Sequence, residues 1–148
     1  METRHKTNAR RTGAHPDIFG VLSSAGAGSK PNEDACNVFS IGCGDHDLYV
    51  AIAADGVTST NGGAQAAQLA VSSVKQVLTS TLSGRSELPS HVEVRRAVDD
   101  AVAYAEYSIK MAAQNAPGQQ EMSTTLVVAL VVGRILYVAH IGDSRAYL

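Results

Sequence analysis

Acidic side chains recur where predicted strands begin or end. Glu33 and Asp34 precede an alternating segment, Asp55 follows the apolar run LYVAIAA, and Asp143 follows ILYVAHIG. Strand ends can project short carboxylates toward one rim of a sheet, and several carboxylates cannot share a small space without a cation between them. Oxygen-rich clusters of this kind suit hard divalent ions such as Mg²⁺ or Mn²⁺. Taken singly, each acid is more typical of a solvated turn, so spacing alone favours that interpretation over a metal site.

The elements that must position these acids include several short strands. Strands are predicted over residues 18–24, 36–42, 48–54, 125–132 and 135–141, and a further strand is predicted to begin at residues 145–148. The run at 48–54 is almost continuously apolar, which is typical of a strand buried on both faces. Gly133 and Arg134 link the two strands of the last third, and a glycine in the first position predicts a type II′ hairpin turn.

Two helices are predicted between these groups of strands. An apolar stripe at helical spacing covers roughly residues 63–82. Ser90 and Glu93 form a capping box that opens a second helix, which extends to about Ala113. The order of strands, two long helices and strands predicts an α+β fold in which an antiparallel sheet packs against paired helices.

Length and charge indicate one globular domain with a basic tail. The chain has 148 residues, of which 45% are hydrophobic and 18% charged, and its net charge is −2. Residues 1–16 contain four Lys or Arg and one acid, and are predicted to form a disordered basic tail, whereas residues 17–148 form an acidic domain. Neither nucleic acid nor a membrane is expected as a partner, because no bulk positive charge and no run of ~18 apolar residues is present.

The two cysteines give no sign of a redox or zinc site. Cys36 and Cys43 lack CxxC spacing, and no His or Cys cluster surrounds them. Their default interpretation is a pair of inert, mostly buried thiols in a reduced, cytoplasmic protein, although a disulfide between them is also compatible with the sequence.

Four short motifs occur in a characteristic order. NEDA, AADG, STTL and GDSRAYL follow one another along the chain, and together they resemble the metal-dependent protein phosphatase family (PPM, protein phosphatase 2C) from about Asp17 to Leu148. The resemblance implies an α-β-β-α sandwich and a serine/threonine phosphatase. It also implies two Mn²⁺ or Mg²⁺ ions, with a third, weaker metal site, and phosphorylated Ser/Thr proteins as substrates.

The resemblance also assigns roles to the acids. Asp55 would bridge two metal ions, and Gly56 would donate its backbone carbonyl to the metal. Glu33 would hold a metal through water, and Asp143 would serve the weaker site. Asp34 would orient the metal-bridging water that attacks phosphorus, so that Asp34 and Asp55 are the candidate catalytic residues.

Other positions of the motifs are less typical of the family. Family members usually carry an Arg shortly before NED, whereas this chain has Lys30, which could bind the substrate phosphate only as a point charge. The segment after DG reads VTSTNGG and lacks the usual His. The resemblance assigns Thr124 and Thr125 a structural role in the core.

The extent of the resemblance leads to a further expectation. Family domains continue well beyond GDSR and supply two more metal-binding aspartates, so the chain is expected to be the N-terminal portion of such a domain. It should then bind metal weakly and catalyse poorly, and a missing C-terminal half is a candidate partner. The alternative function is a catalytically inactive, phosphatase-like binding or regulatory module.

A different hydrolase mechanism is less consistent with the sequence. Ser144, His140 and Asp143 contain the residue types of a Ser-His-Asp triad. However, His140 lies inside an apolar strand, where a structural role is more common, and no G-x-S-x-G motif is present.

Overall fold

A four-stranded antiparallel sheet carries two long helices on one face. The computed structural model describes residues 20–25, 31–57, 59 and 61–148. The elements in chain order are β1 (Asp34–Cys43), β2 (His46–Asp55), α1 (Gly63–Leu82), α2 (His91–Gln114), β3 (Leu126–Val132) and β4 (Ile135–Ile141). The strands lie side by side in the order β1-β2-β3-β4. The predicted α+β fold with an antiparallel sheet and paired helices is confirmed.

Two-residue turns close both hairpins of the sheet. Cys43 pairs with His46 across the first turn, and Val132 pairs with Ile135 across the second. Gly133 has a φ of 59°, and no described residue other than glycine has a positive φ. A positive φ at only the first of the two linking positions defines the type II′ turn that the sequence predicts.

The core lies between the sheet and the helices. α1 packs over β1 and β2, and α2 packs mainly on α1. The largest fully buried side chains come from both layers: Leu48, Val50, Leu78, Leu82, Val94 and Leu130. Because alternate strand residues point to opposite faces, the buried positions of β2 fall at every second residue.

The sheet face opposite the helices is apolar but open. In β2 the residues on this face, Tyr49, Ala51 and Ala53, are half-buried or exposed, and Val138 of β4 is 46% exposed. The prediction that this strand is buried on both faces is therefore wrong for the described part of the chain. The continuous apolar run reflects a second face that carries apolar residues without being covered by the described elements.

Two predicted strands are not found in the described residues. Residues 20–24, which fall in the predicted strand 18–24, have no strand structure, and residues 145–148 are exposed and outside the sheet. Apolar alternation alone does not make a strand, because the backbone also needs a partner strand to take its hydrogen bonds. Residues 1–16, with the predicted disordered tail, lie outside the described residues, so that prediction stays untested.

The two cysteines cannot pair with each other. Both lie on β1, seven residues apart, which separates them by about 23 Å along an extended strand. A disulfide needs Cα atoms within about 7 Å. Cys43 is buried and its thiol donates a hydrogen bond to the Glu87 carbonyl, with 2.9 Å between sulfur and oxygen, whereas Cys36 is half-buried.

Within the described residues, neither helix is long and apolar enough to cross a lipid bilayer.

The capping box predicted at the start of α2 is present. The Ser90 hydroxyl accepts a hydrogen bond from the Glu93 backbone N–H, and the Glu93 carboxylate accepts one from the Ser90 backbone N–H. Hydrogen bonds from the Ser90 backbone and side chain, together with the neighbouring Arg85, lower the pKa of Glu93 to about 2. The charged carboxylate therefore helps to fix the beginning of the helix.

This cap predicts a pH dependence of stability. Because the folded pKa of Glu93 is about 2 and its ordinary value is 4.5, its contribution is complete above pH 4.5 and is lost as the pH falls toward 2. Glu93→Gln, which resembles the protonated acid, should lower the free energy of unfolding at neutral pH, and its difference from the wild type should shrink over this range. Urea unfolding of the wild type and the variant at a series of pH values measures the difference in free energy of unfolding and its change with pH. Glu106→Gln, on the same helix, is the control, and a difference that does not vary with pH would contradict the assignment.

Candidate functional site

Two of the predicted acids face each other across adjacent strands. Asp34 begins β1 and Asp55 ends β2, and the two residues are direct partners in the antiparallel register. They follow the alternation of Cys36 and Ala53, so both project from the sheet face opposite the helices. Two like charges directly opposite each other in a sheet destabilise the folded state. The Asp34–Asp55 pair is therefore unfavourable unless a cation or a proton neutralises part of its charge.

The electrostatic state of Asp55 reflects all four predicted acids. Asp55 is exposed, but partial desolvation of its carboxylate raises its pKa, and the charge and hydrogen bonding of Asp34 raise it further, followed by the charges of Asp143 and Glu33. Each cause disfavours the ionised carboxylate. Asp143 and the adjacent pair Glu33 and Asp34 therefore lie near enough to Asp55 in the fold to interact with it.

Gly56 lies in a narrow gap between three backbone segments. Its N–H donates to the Glu33 carbonyl at 3.2 Å, and it forms an isolated bridge with Thr124. A Cβ atom at Gly56 would lie 2.4 Å from the Gly63 backbone and 2.7 Å from the Glu33 carbonyl oxygen. Only glycine permits this approach, which brings the start of α1 and the segment before β1 against the end of β2.

Two threonines of the STTL motif hold the peptide groups of Asp55. The Thr125 hydroxyl accepts a hydrogen bond from the Asp55 N–H at 3.0 Å, and the Thr125 N–H donates to the Asp55 carbonyl at 2.9 Å. The Thr124 hydroxyl donates to the same carbonyl at 2.9 Å. The backbone that carries the central acid is thus fixed on both its donor and its acceptor side.

A hydroxyl pair joins this clamp to the GDSR turn. The oxygens of Thr125 and Ser144 are 2.6 Å apart. The family resemblance predicts a structural role for Thr125 but no part in the metal site for Ser144. The position of Ser144 directly after Asp143 was the only hint in the sequence that Ser144 belongs to the site. Its contact with Thr125 is evident only in the folded structure. This contact also gives Ser144 a partner other than His140, which lies exposed on β4, so the Ser-His-Asp alternative finds no support in the geometry.

The oxygen atoms of the site are suitable ligands for a divalent cation, but they are too few to hold one without further ligands. Within the described ranges no three His, Cys, Asp or Glu residues converge closely enough to hold a metal ion. Charge interactions extend further than coordination distances, so the mutual influence of four acids does not require a closed shell. Asp34, Asp55 and the Gly56 carbonyl nevertheless offer hard oxygens at one sheet end. Lys30, the predicted phosphate contact, lies outside the described residues.

Comparisons with known proteins agree on one family. The family model described as protein phosphatase 2C matches residues 23–148. The chain belongs to the protein phosphatase 2C family. Comparison with curated proteins gives no match.

Solved structures show the same fold. The serine/threonine phosphatase PstP/Ppp of Mycobacterium tuberculosis is 26% identical, with a TM-score of 0.58 and coverage of 84% of this chain and 44% of that chain. The S. agalactiae serine/threonine phosphatase is 25% identical, with a TM-score of 0.63 and coverage of 84% and 48%. Stp1 from Staphylococcus aureus is 22% identical, with a TM-score of 0.66 and coverage of 90% and 52%, and supports the fold alone. The chain thus spans about half the length of these protein phosphatase 2C structures.

Gly56 provides a direct test of the packing at the site. Gly56→Ala should lower the free energy of unfolding by about 1–3 kcal/mol, because the added methyl group meets backbone atoms that have little room to move. Gly42→Ala is the matched control, since its Cβ would meet nothing within 4 Å, and its effect should stay within about 1 kcal/mol. Urea unfolding of both variants measures the difference. Equal effects of the two substitutions would show that the close approach at Gly56 is not present.

The raised pKa of Asp55 predicts that this acid destabilises the metal-free protein. Since the folded pKa lies above the ordinary value of 3.8, the folded state loses stability as the pH rises through 3.8 and then through the folded pKa. Asp55→Asn should therefore raise the free energy of unfolding at neutral pH in the presence of a chelator, and the gain should vanish toward pH 3.8 and below. Asp45→Asn, in the turn at the other end of β1 and β2, is the control. A loss of stability in Asp55→Asn at neutral pH would contradict the electrostatic argument.

Proposed function

We propose that this chain carries the N-terminal part of the catalytic centre of a metal-dependent serine/threonine protein phosphatase. The observation that carries the proposal is the cross-strand pair of Asp34 and Asp55 at one sheet end, where the Asp55 carboxylate also interacts with the charges of Asp143 and Glu33. Membership of the protein phosphatase 2C family supports the same chemistry. A set of acids that raises the pKa of its own central member is well suited to receive a cation, which would remove the repulsion.

Each residue contributes oxygen atoms or orientation to the reaction. Asp55 would provide a carboxylate ligand for Mn²⁺ or Mg²⁺ ions, and the Gly56 carbonyl would add a neutral oxygen ligand. Bound divalent ions of this kind lower the pKa of a water molecule and neutralise charge that develops on the phosphoryl group. Asp34, directly across from Asp55, would accept a hydrogen bond from the attacking water and so direct its lone pair toward phosphorus. Glu33 would act through water, and Asp143 at a weaker third site.

The phosphate group of the substrate needs a positive partner as well. We propose Lys30 for this contact, because it immediately precedes the segment that leads into Asp34. A lysine ammonium attracts a phosphate as a point charge and lacks the two-point geometry of arginine. The expected consequence is weaker discrimination of phosphate orientation, and Lys30→Ala should raise KM more than it lowers kcat.

The described acids do not complete a coordination shell, and further ligands are therefore expected from elsewhere in the protein. The matched phosphatase structures are about twice as long as this chain. The family resemblance places two additional metal-binding aspartates after the GDSR motif. We propose that a polypeptide with this further length supplies the remaining ligands and covers the open face of the sheet, while residues 17–148 alone bind metal weakly.

Substrates are proposed to be phosphorylated serine and threonine residues of proteins. The basis is the family and the description of the matched structures as serine/threonine phosphatases. A centre that works through metal-bound water needs no Cys or Ser nucleophile, and Cys43 is buried and hydrogen-bonded far from the acids. The cytoplasmic location predicted from the sequence stays a prediction.

Hydrolysis of an aryl phosphate with Mn²⁺ tests this function. The 148-residue chain should show little turnover, and a polypeptide that adds the further length of the matched structures should be active. In the longer polypeptide Asp55→Asn should reduce kcat by more than about 100-fold, the upper range for loss of a mere outer-shell partner of a metal. Asp45→Asn, which removes an acid at the opposite end of the same hairpin, should retain activity. An inactive longer polypeptide would favour the alternative of a phosphatase-like binding module, and turnover unaffected by Asp55→Asn would contradict the proposed site.

A further inference from the structure

The hydroxyl pair of Thr125 and Ser144 joins two parts of the site that are far apart in sequence. We propose that these two residues are positioning residues, which hold the Asp55 backbone and the Asp143 turn at a fixed separation and thereby set the metal affinity of the site. The proposal rests on the proposed function. Ser144 would hold the Asp143 turn, and Thr125 would hold the Asp55 backbone rather than only fill space in the core.

Hydrogen-bond geometry gives the Thr125 hydroxyl two partners at once. Its oxygen accepts from the Asp55 N–H at 3.0 Å and lies 2.6 Å from the Ser144 hydroxyl oxygen. A hydroxyl has one hydrogen and two acceptor positions, so both contacts can be satisfied together. The Thr125 residue is only 9% exposed, so water has little access to replace either partner.

The packing of the GDSR turn on Thr125 supports the same link. Gly142 has a φ of 87°, and a Cβ atom there would lie 2.9 Å from the Thr125 methyl carbon. The turn therefore packs directly against the Thr125 side chain, and Asp143 and Ser144 are the next two residues after Gly142. A change at Thr125 therefore acts on both Asp55 and Asp143, whose charges already interact.

A purely structural role and a positioning role make different predictions for matched substitutions. Thr125→Val keeps the shape and packing of the side chain but removes the hydroxyl. Thr125→Ser keeps the hydroxyl but removes the buried methyl group, which leaves a small cavity. If Thr125 only fills space, metal affinity follows stability, and the serine variant is affected at least as strongly as valine. If it positions the acids, affinity follows the hydroxyl.

The test is Mn²⁺ titration of the chain by calorimetry, with urea unfolding of every variant. Thr125→Val and Ser144→Ala should each weaken Mn²⁺ binding by about 10-fold, as expected for a partner outside the coordination shell. The double variant should be no weaker than Thr125→Val alone, because both substitutions break the same link. Thr125→Ser should bind within about twofold of the wild type. Ser108→Ala, which removes a half-buried hydroxyl from α2 that bonds only its own helix, is the control.

A second readout needs no metal and separates this proposal from the proposed function. In the metal-free chain, Thr125→Val and Ser144→Ala should both accelerate hydrogen exchange of the Asp55 amide and move the NMR signal of the Asp143 amide. Faster exchange, with no Mn²⁺ binding by the wild-type chain and no Mn²⁺-dependent turnover by the longer polypeptide, would overturn the proposed function while retaining the link. An Asp55 amide and an Asp143 signal that Ser144→Ala leaves unchanged would overturn the link. The same conclusion would follow if Thr125→Ser weakened Mn²⁺ binding as much as Thr125→Val.

Discussion

The hydrogen bonds around the Asp55 peptide are the constraint on which the site depends. Four carboxylates that repel one another would move apart on a flexible scaffold, since each gains by returning to water. Here the central acid ends a strand whose last N–H and C=O are both bonded to Thr125, while Gly56 is enclosed by the Glu33 and Gly63 backbones. The fold thus holds the acids together against their repulsion, and a bound cation would remove that cost.

Much of the fold was predictable because local signals agreed with the tertiary structure. The apolar stripes and the Ser90 capping box gave both helices nearly to the residue, and the positive φ of Gly133 matches the predicted hairpin. Predictions were wrong where a segment needed a partner strand that local sequence does not reveal, as at residues 20–24 and 145–148. The prediction that β2 is buried on both faces was wrong for a related reason. An apolar run shows that both faces of a strand are suited to burial, but not that the described elements cover both.

The site was predictable in residue types and less so in geometry. The order of the four motifs indicated which acids belong together, and the cross-strand pairing of Asp34 with Asp55 follows once the hairpin register is known. The Thr125–Ser144 contact could not be predicted from the sequence, because the two residues are nineteen positions apart and most threonines and serines are solvated. The acids project from the open apolar face of the sheet, which is the face that we propose a longer polypeptide covers.

Paramagnetic broadening of backbone NMR signals by substoichiometric Mn²⁺ tests the central claim most directly. Mn²⁺ strongly broadens only the signals of nearby nuclei, so it locates the site without requiring turnover. We predict that amides of residues 33–34, 55–56 and 142–144 broaden first, while Asp45 and the acids of α2 are spared, and that Asp55→Asn removes the effect. Broadening that spreads evenly over exposed acids, or that persists in Asp55→Asn, would contradict a metal site at this end of the sheet.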